Sequence, residues 1–111
     1  MQIDFERIEN TAIPGFKGGD GVTEARMFFD GNSRIMICRI KPRSSIGVHT
    51  HETSSEVMFF ISGHGKAVCD GVEEIIRPGV AHFCPRGSTH TVVNTGDDDL
   101  VMYAAVTEFK Q

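Results

Sequence analysis

Residues 49–63 read HTHETSSEVMFFISG, and this stretch decides how the whole chain is interpreted. His49 and His51 are one residue apart in a segment with strand character, and side chains at positions i and i+2 of a strand project from one face, about 6–7 Å apart. Two neighbouring imidazoles must both satisfy their ring nitrogens, and a shared metal ion does so directly. The pair therefore predicts a metal site, with two hydrogen-bonded structural histidines as the alternative.

Glu56 stands at the head of an apolar run, residues 57–61. A carboxylate buried there without a partner would cost several kcal/mol, and a cation held by the two histidines would stabilise it. Glu52 is the competing carboxylate. On an extended strand it points to the face opposite His51, so we expect Glu52 in solvent.

A second informative stretch, residues 79–94, reads GVAHFCPRGSTHTVVN. Pro85 and Gly87 predict a tight turn between two strands. The turn places His90 near the start of the second strand, with Val92 and Asn94 on the same side. His90 can therefore face the interior.

Around these stretches, turn signals recur every eight to twelve residues, and the segments between them are short and rich in Val, Ile, Phe and Thr. This pattern is typical of an all-β sandwich or barrel. Residues 30–32 (DGN) and 70–71 (DG) predict hairpin turns, the second of a two-residue type that needs positive φ. Nine strands are predicted, at residues 24–29, 34–40, 46–51, 56–61, 66–69, 72–76, 80–84, 89–94 and 100–107.

The length of 111 residues fits one domain. We expect residues 1–22 to be an N-terminal lead-in segment and residues 23–111 to form a single barrel domain. The Gly-rich stretch 15–21 follows no clear strand and opens no helix, so it predicts a flexible loop rather than a phosphate-binding motif.

Charge and hydropathy exclude some classes of binding partner. The chain has 11 Lys and Arg against 15 Asp and Glu, without a basic cluster, so nucleic acid is not an expected partner. No stretch approaches the roughly 20 apolar residues of a membrane span, and the N-terminus lacks an apolar signal core, which predicts a soluble cytoplasmic protein. The cysteines, Cys38, Cys69 and Cys84, are odd in number and widely spaced, which favours buried thiols over a disulfide framework.

Taken together, the two stretches closely resemble the cupin superfamily. Its first motif, G-x5-H-x-H-x(3,4)-E-x6-G, is met by His49, His51, Glu56 and Gly63. Its second motif, G-x5-P-x-G-x2-H-x3-N, is met by Gly79, Pro85, Gly87, His90 and Asn94. The motifs and the spacer between them cover residues 43–94, about half of the chain.

The resemblance implies a small jelly-roll barrel, or double-stranded β-helix, in which one divalent transition metal ion is bound by His49, His51, Glu56 and His90. Mn, Fe, Ni, Cu, Co and Zn all suit these donors, and an octahedral ion would keep two positions for a small-molecule ligand. It further implies an enzyme of dioxygenase, isomerase or lyase type acting on a small oxygenated metabolite, with Glu56 as a ligand that doubles as catalytic base. The alternative is a non-catalytic small-molecule-binding or sensor protein of the same fold.

One position departs from the first motif, because Arg43 stands where its leading glycine belongs. Glycine would permit positive φ in the turn before the strand, so arginine predicts a different turn type. We expect Arg43 on a surface loop, with a role as substrate clamp as the alternative.

Strand parity assigns the rest of the predicted pocket. If Glu56 faces the interior, Met58 and Phe60 do so too, first as core residues and second as an apolar ligand wall. The other pocket candidates are Val92, Asn94 and His82. His82 is either a plain strand histidine or an acid or base near the metal, and spacing does not decide the orientation of Tyr103.

The same parity sends Val57, Phe59 and Ile61 to the outer face, so both faces of this strand are apolar. An antiparallel strand with one solvated face normally alternates apolar and polar residues. The outer face therefore predicts packing against another subunit, in a symmetric homodimer.

Overall fold

The computed structural model describes residues 1–109, and it shows two antiparallel sheets packed face to face as a jelly roll. Within that range lie ten strands: β1 (Thr11–Pro14), β2 (Val22–Phe29), β3 (Ser33–Ile40), β4 (Ser45–Thr50), β5 (Ser54–Ser62), β6 (Gly65–Cys69), β7 (Val72–Ile76), β8 (Ala81–Cys84), β9 (Thr89–Asn94) and β10 (Leu100–Glu108). Two 3₁₀ helices, Phe5–Arg7 and Phe16–Gly18, accompany them, and neither is long and apolar enough to cross a membrane. Residues 110 and 111, the end of the predicted barrel segment, lie outside the described residues.

The larger sheet has the strand order β1-β2-β3-β10-β5-β8, and the smaller one has the order β4-β9-β6-β7. Along the central strands alternate residues face the space between the sheets, so Met36, Cys38 and Ile40 of β3 are buried while Arg39 is exposed. Side chains from both sheets meet in one hydrophobic core. The fold is the predicted all-β jelly roll.

Both predicted hairpin turns are present. Asp70 and Gly71 join β6 to β7 with φ of 48° and 81°, the positive values that the two-residue turn requires. In the turn between β2 and β3, the Asp30 carboxylate accepts hydrogen bonds from the backbone N–H groups of Asn32 at 2.9 Å and Ser33 at 2.7 Å. Local side-chain chemistry thus sets these two registers.

All nine predicted strands are observed, but β1 was not predicted. It lies inside the segment predicted as a lead-in and pairs with β2 at the edge of the larger sheet. Its four residues, Thr11–Pro14, are mostly exposed and end in proline, so they show no apolar alternation. Without that periodicity an edge strand looks like a loop.

The Gly-rich stretch 15–21 was predicted to be a flexible loop, and the structure instead holds it in a defined conformation against β4. Gly15 N–H donates to the Gly21 carbonyl at 2.9 Å, which closes the loop on itself. A Cβ added at Gly19 would collide with the backbone of Ser45, and one at Gly47 would collide with the carbonyl of Lys17. These glycines are required because two backbone segments approach closely, not because the loop is mobile.

The prediction of a different turn type at Arg43 is wrong. Arg43 has φ of 61°, the left-handed conformation that glycine favours. Ser44 N–H donates to the Lys41 carbonyl at 3.0 Å, which closes a four-residue turn with Pro42 and Arg43 at its centre. Proline followed by a residue of positive φ is the pattern of a type II turn. The surrounding structure therefore imposes glycine-like geometry on an arginine, which is exposed as predicted.

Candidate metal centre

Three strands bring the predicted metal ligands together. His49 lies on β4 directly opposite His90 of β9, and His51 follows the end of β4. Glu56 lies on β5 of the facing sheet and is only 4% exposed, with its side chain between the sheets. The motif residues thus meet at one point because two sheets that are distant in sequence face each other.

The donor atoms of these four residues lie within 4.8 Å of one another. The Nε2 atom of His90 is 3.1 Å from Nε2 of His49 and 3.1 Å from Nε2 of His51. The Oε1 atom of Glu56 is 3.1 Å from Nε2 of His51 and 3.2 Å from Nε2 of His90. All four residues therefore direct one donor atom at a common centre.

Contacts on the far side of each ring fix its orientation. His49 Nδ1 lies 2.7 Å from the Gly47 carbonyl oxygen, which can only accept, so Nδ1 carries the proton and the neutral ring has a bare Nε2. His51 Nδ1 lies 2.8 Å from Ser54 Oγ. Each ring is thus held with Nε2 towards the centre, as metal-binding histidines require.

His90 is held by a longer chain of contacts that runs to the protein surface. His90 Nδ1 lies 3.0 Å from Nε2 of His82, and His82 Nδ1 lies 2.6 Å from a carboxylate oxygen of Glu74. The Glu74 carboxylate accepts, so His82 donates from Nδ1 and, when neutral, accepts on Nε2 from His90. This order of protons gives His90 a bare Nε2. His82, which is 1% exposed, therefore lies behind His90 rather than beside the centre.

Two pKa values reflect the enclosure of the centre. Burial raises the pKa of Glu56, but hydrogen bonds and charge interactions with His51 and His90 outweigh it and lower the pKa to about 2. Burial lowers the pKa of His49, and its neighbours His90 and His51 lower it further. The centre therefore favours an ionised carboxylate beside a neutral imidazole, the protonation states that metal ligands need.

The donor set fits a divalent metal ion. Bare imidazole nitrogens about 3.1 Å apart repel one another unless a cation or a proton lies between them. For bonds of about 2.1 Å, neighbouring ligands lie about 3.0 Å apart around an octahedral ion and about 3.4 Å apart around a tetrahedral one. The four separations given above, 3.1 to 3.2 Å, fall between these values. Three imidazoles and one carboxylate can thus hold a transition metal ion, and they do not select one identity.

Three of the four donor residues, His49, His51 and Glu56, line a cavity of about 500 Å³ between the two sheets. Of the five predicted pocket residues, Met58 lines this cavity. Among the described residues the lining does not include Phe60 or Val92, which are 2% and 0% exposed and belong to the core. It does not include Asn94 either, whose side-chain amide donates to two backbone carbonyls at 2.8 Å. Strand alternation correctly predicted that these three side chains face the interior, but they are buried in the core and do not line the cavity.

The part of the cavity lining that β2 and β3 contribute was not predicted from the sequence. It includes Met27 of β2 and Arg34 and Met36 of β3, strands that precede both histidine-containing stretches. A signal was present, because Arg34 shares the inward parity of Met36 and Cys38 and is the one charged residue on that face of β3. Tyr103, which spacing left undecided, is 40% exposed on the outer face and packs against Phe5, with ring centroids 5.6 Å apart.

Comparison with known proteins agrees with this architecture. The sequence pattern of the cupin domain family matches residues 36–106, which include all four donors. An oxalate-binding protein of Thermotoga maritima is 31% identical over 112 residues, covering 96% of this chain and 93% of that protein. The crystal structure of a predicted oxalate decarboxylase from the same organism superposes with a TM-score of 0.90 at 26% identity, covering 98% of this chain and all of that one. The cupin domain of Schizosaccharomyces pombe Cnp3 shares the fold at 8% identity, with a TM-score of 0.79 over 97% of this chain and 74% of that one. The chain therefore belongs to the cupin domain family.

Proposed function

We propose that this protein binds a small carboxylate such as oxalate through a divalent metal ion held by His49, His51, Glu56 and His90, and that it acts on this ligand as an enzyme. The observation that carries the proposal is the convergence of four donor atoms, three of them from residues that line a cavity large enough for a small metabolite. The name of the Thermotoga maritima relative, an oxalate-binding protein, supports the choice of ligand. A bound ion would supply a Lewis acid or an oxygen-binding centre, the chemistry that lyase, isomerase and dioxygenase reactions require.

The protein's own groups have separate tasks in this proposal. The three imidazoles hold the ion, and the partly enclosed cavity orients the ligand and limits its contact with water. A carboxylate whose pKa is lowered to about 2 is a weak base, so we assign Glu56 chiefly to binding the ion and offsetting its charge. The role of Glu56 as a catalytic base stays a prediction.

The second candidate is a binding protein without turnover, favoured by the same relative, which is named for binding alone. One experiment separates the two functions. The protein is loaded in turn with Mn²⁺, Fe²⁺, Co²⁺, Ni²⁺, Cu²⁺ and Zn²⁺ and incubated with ¹³C-labelled oxalate, with and without oxygen, while NMR follows the label. Conversion that is lost in Glu56→Gln supports the enzyme. Saturable binding by calorimetry without conversion for any metal supports the binding protein, and absence of both rejects the proposal.

We also propose a homodimer formed through the outer face of the larger sheet. Phe59, Ile61, Phe83 and Tyr103 on that face are 52%, 47%, 58% and 40% exposed. Tyr103 pairs with Phe59 across β10 and β5, so these side chains form a connected patch. Large connected apolar patches are uncommon on monomers.

Light scattering at micromolar concentration tests the dimer. We expect the mass of two chains for the unaltered protein and of one chain for Phe59→Glu, because a desolvated interface does not accept an unpaired charge. Ile75→Glu, on β7 of the smaller sheet and 77% exposed, is the matched control and should leave the mass unchanged. A monomeric unaltered protein would reject the proposal.

For the location, we propose the cytoplasm, on the basis of the cysteine content. Three cysteines, Cys38, Cys69 and Cys84, cannot all pair within one chain, and Cys38 and Cys84 are buried thiols. Reduced cysteines are typical of a reducing compartment. Fractionation of the native host, with antibody detection, tests this.

A further inference from the structure

We infer that Arg34 binds the second anionic group of the ligand, so that the site selects dicarboxylates over monocarboxylates. The inference rests on the proposed function, because it takes one carboxylate of the ligand to be bound at the four-residue centre. Arg34 lies outside both histidine-containing stretches and is not one of the four metal donors.

The strand register places Arg34 and Glu56 in one row of the larger sheet. Arg34 of β3 pairs with Val106 of β10, and Val106 pairs in turn with Glu56 of β5. Two strand spacings separate the backbones of Arg34 and Glu56, about 10 Å. All three residues lie on the cavity lining. Arg34 and Glu56 therefore face the same cavity from one sheet, with Val106 between them.

The guanidinium of Arg34 lacks the partners that such a group normally has. Its Nε is buried and has no hydrogen-bond partner. Within residues 1–109 no carboxylate forms an ion pair with it, and its contact is with the ring of Phe29, whose centroid lies 4.7 Å from Cζ. A buried donor without a partner costs free energy, and the contact with the Phe29 ring does not supply a hydrogen-bond acceptor oxygen. An anionic ligand in the cavity would satisfy this donor.

Other charged residues near the cavity do not replace the ligand. Glu108 lines the same cavity, but its carboxylate accepts a hydrogen bond from Thr53 Oγ1 at 2.6 Å and makes no ion pair with Arg34. Glu52 and Lys17 also belong to the lining, but both are exposed, so water screens their charges. Arg34 is thus the positive group that the cavity leaves unmatched.

The charges match a dianion. Three neutral imidazoles and the Glu56 carboxylate carry one negative charge, so a divalent ion would leave one positive charge at the centre. The Arg34 guanidinium adds a second positive charge on the lining of the same cavity. Two positive charges in a partly enclosed site favour two carboxylates, and the planar fork of arginine suits a carboxylate geometrically.

Calorimetry on Zn²⁺-loaded protein tests this, since Zn²⁺ has no redox chemistry and binding is measured apart from turnover. The ligands are oxalate and malonate as dicarboxylates and acetate as the monocarboxylate. We expect Arg34→Met to weaken both dicarboxylates by roughly 10- to 100-fold and to leave acetate unchanged. Arg34→Lys should recover part of the loss, because it restores the charge without the fork. Arg39→Met, on the exposed face of β3, is the control and should change neither class.

Each outcome has one meaning. Unchanged dicarboxylate affinity in Arg34→Met, or an equal loss for acetate, would overturn the role of Arg34 and leave the proposed function intact. Failure of the unaltered Zn²⁺-loaded protein to bind any of the carboxylates would reject the proposed function and this inference with it. Zn²⁺ affinity and circular dichroism of each variant, expected to be unchanged, show that the donor centre and the fold persist.

Discussion

The two walls of the cavity differ in how strictly the sequence specifies them. One, here called the donor wall, consists of His49, His51, Glu56 and His90, whose donor atoms lie within 4.8 Å of one another and of which the first three line the cavity. The other, here called the β2–β3 wall, consists of Met27, Arg34 and Met36. Donor atoms at bonding distance from one ion require fixed spacings along the chain, whereas a ligand wall requires only side chains that face inward. The donor wall thus specifies the chemistry, and the β2–β3 wall can vary with the ligand.

Removal of a donor gives the largest expected effect and tests the donor wall alone. We expect Glu56→Gln and His90→Ala to weaken Zn²⁺ binding by more than about 100-fold, because the remaining donors provide fewer bonds and, for Glu56→Gln, no offsetting charge. Competition with a chelator of known affinity measures this. His64→Ala removes an exposed histidine and should bind Zn²⁺ as the unaltered protein does. Full metal content in both donor variants after mild chelation would contradict the assignment.

Low pH should destabilise the metal-free protein by protonating Glu56 and His49 of the donor wall. The folded-state pKa of Glu56 is lowered from 4.5 to about 2, so its stabilisation is complete above pH 4.5 and is lost as the pH falls towards 2, by about 3 kcal/mol. The pKa of His49 is lowered from 6.5, so its contribution is present above pH 6.5 and declines at lower pH. Urea unfolding of metal-free protein between pH 7.5 and 3 measures both. Glu56→Gln should flatten the lower window, and an unchanged slope there would contradict the prediction.

Metal binding, like stability, should weaken as the pH is lowered. Neutral imidazoles bind the ion, and a free histidine titrates near 6.5, so metal content should fall below about pH 6. Metal content and circular dichroism recorded in parallel during acidification separate two cases. Release from an intact barrel is the expected result for an exchangeable centre. Unfolding before or together with release would show a structural ion and would weaken the proposed enzyme.

A smaller effect is expected behind the donor wall, where His82 and Glu74 orient His90. Glu74→Gln removes the carboxylate that accepts from His82 Nδ1 at 2.6 Å, and we expect Zn²⁺ affinity to fall by about 10-fold. The imidazole Nδ1 signal of His82 in ¹⁵N NMR should shift with it, which a purely structural change elsewhere would not produce. Glu73→Gln, at the neighbouring exposed position, is the control. Equal Zn²⁺ affinity in both variants would show that the contact does not support His90.

Features of the fold and of the site could be predicted from the sequence when they depend on residues that are close together in the chain. The strands of the core and the Asp70-Gly71 turn were predictable because alternation and turn chemistry act over a few residues. The donors were predictable because their spacing in the chain is fixed by one ion. Arg34 was not singled out, because its importance depends on a row of paired strands, β3, β10 and β5, that are distant in sequence. The edge strand Thr11–Pro14 has no periodicity to read, since most of its residues face solvent.

The smallest expected effect comes from the turn that leads into β4, where an arginine has a backbone conformation that favours glycine. Arg43 holds φ of 61°, which costs an L-residue about 1–2 kcal/mol, while glycine loses roughly 0.5–1 kcal/mol through the greater freedom of its unfolded chain. Arg43→Gly should therefore stabilise the protein by about 0.5–1 kcal/mol and raise Tm by about 2–5 °C in calorimetry. Zn²⁺ affinity should stay the same, because the turn precedes the donors and contacts none of them. Gly79→Ala is the converse control: with φ of 91° and no atom within 4 Å of an added Cβ, it should lower Tm through backbone strain alone. A lower Tm for Arg43→Gly would mean that the arginine side chain makes a stabilising contact that outweighs the strain of its backbone.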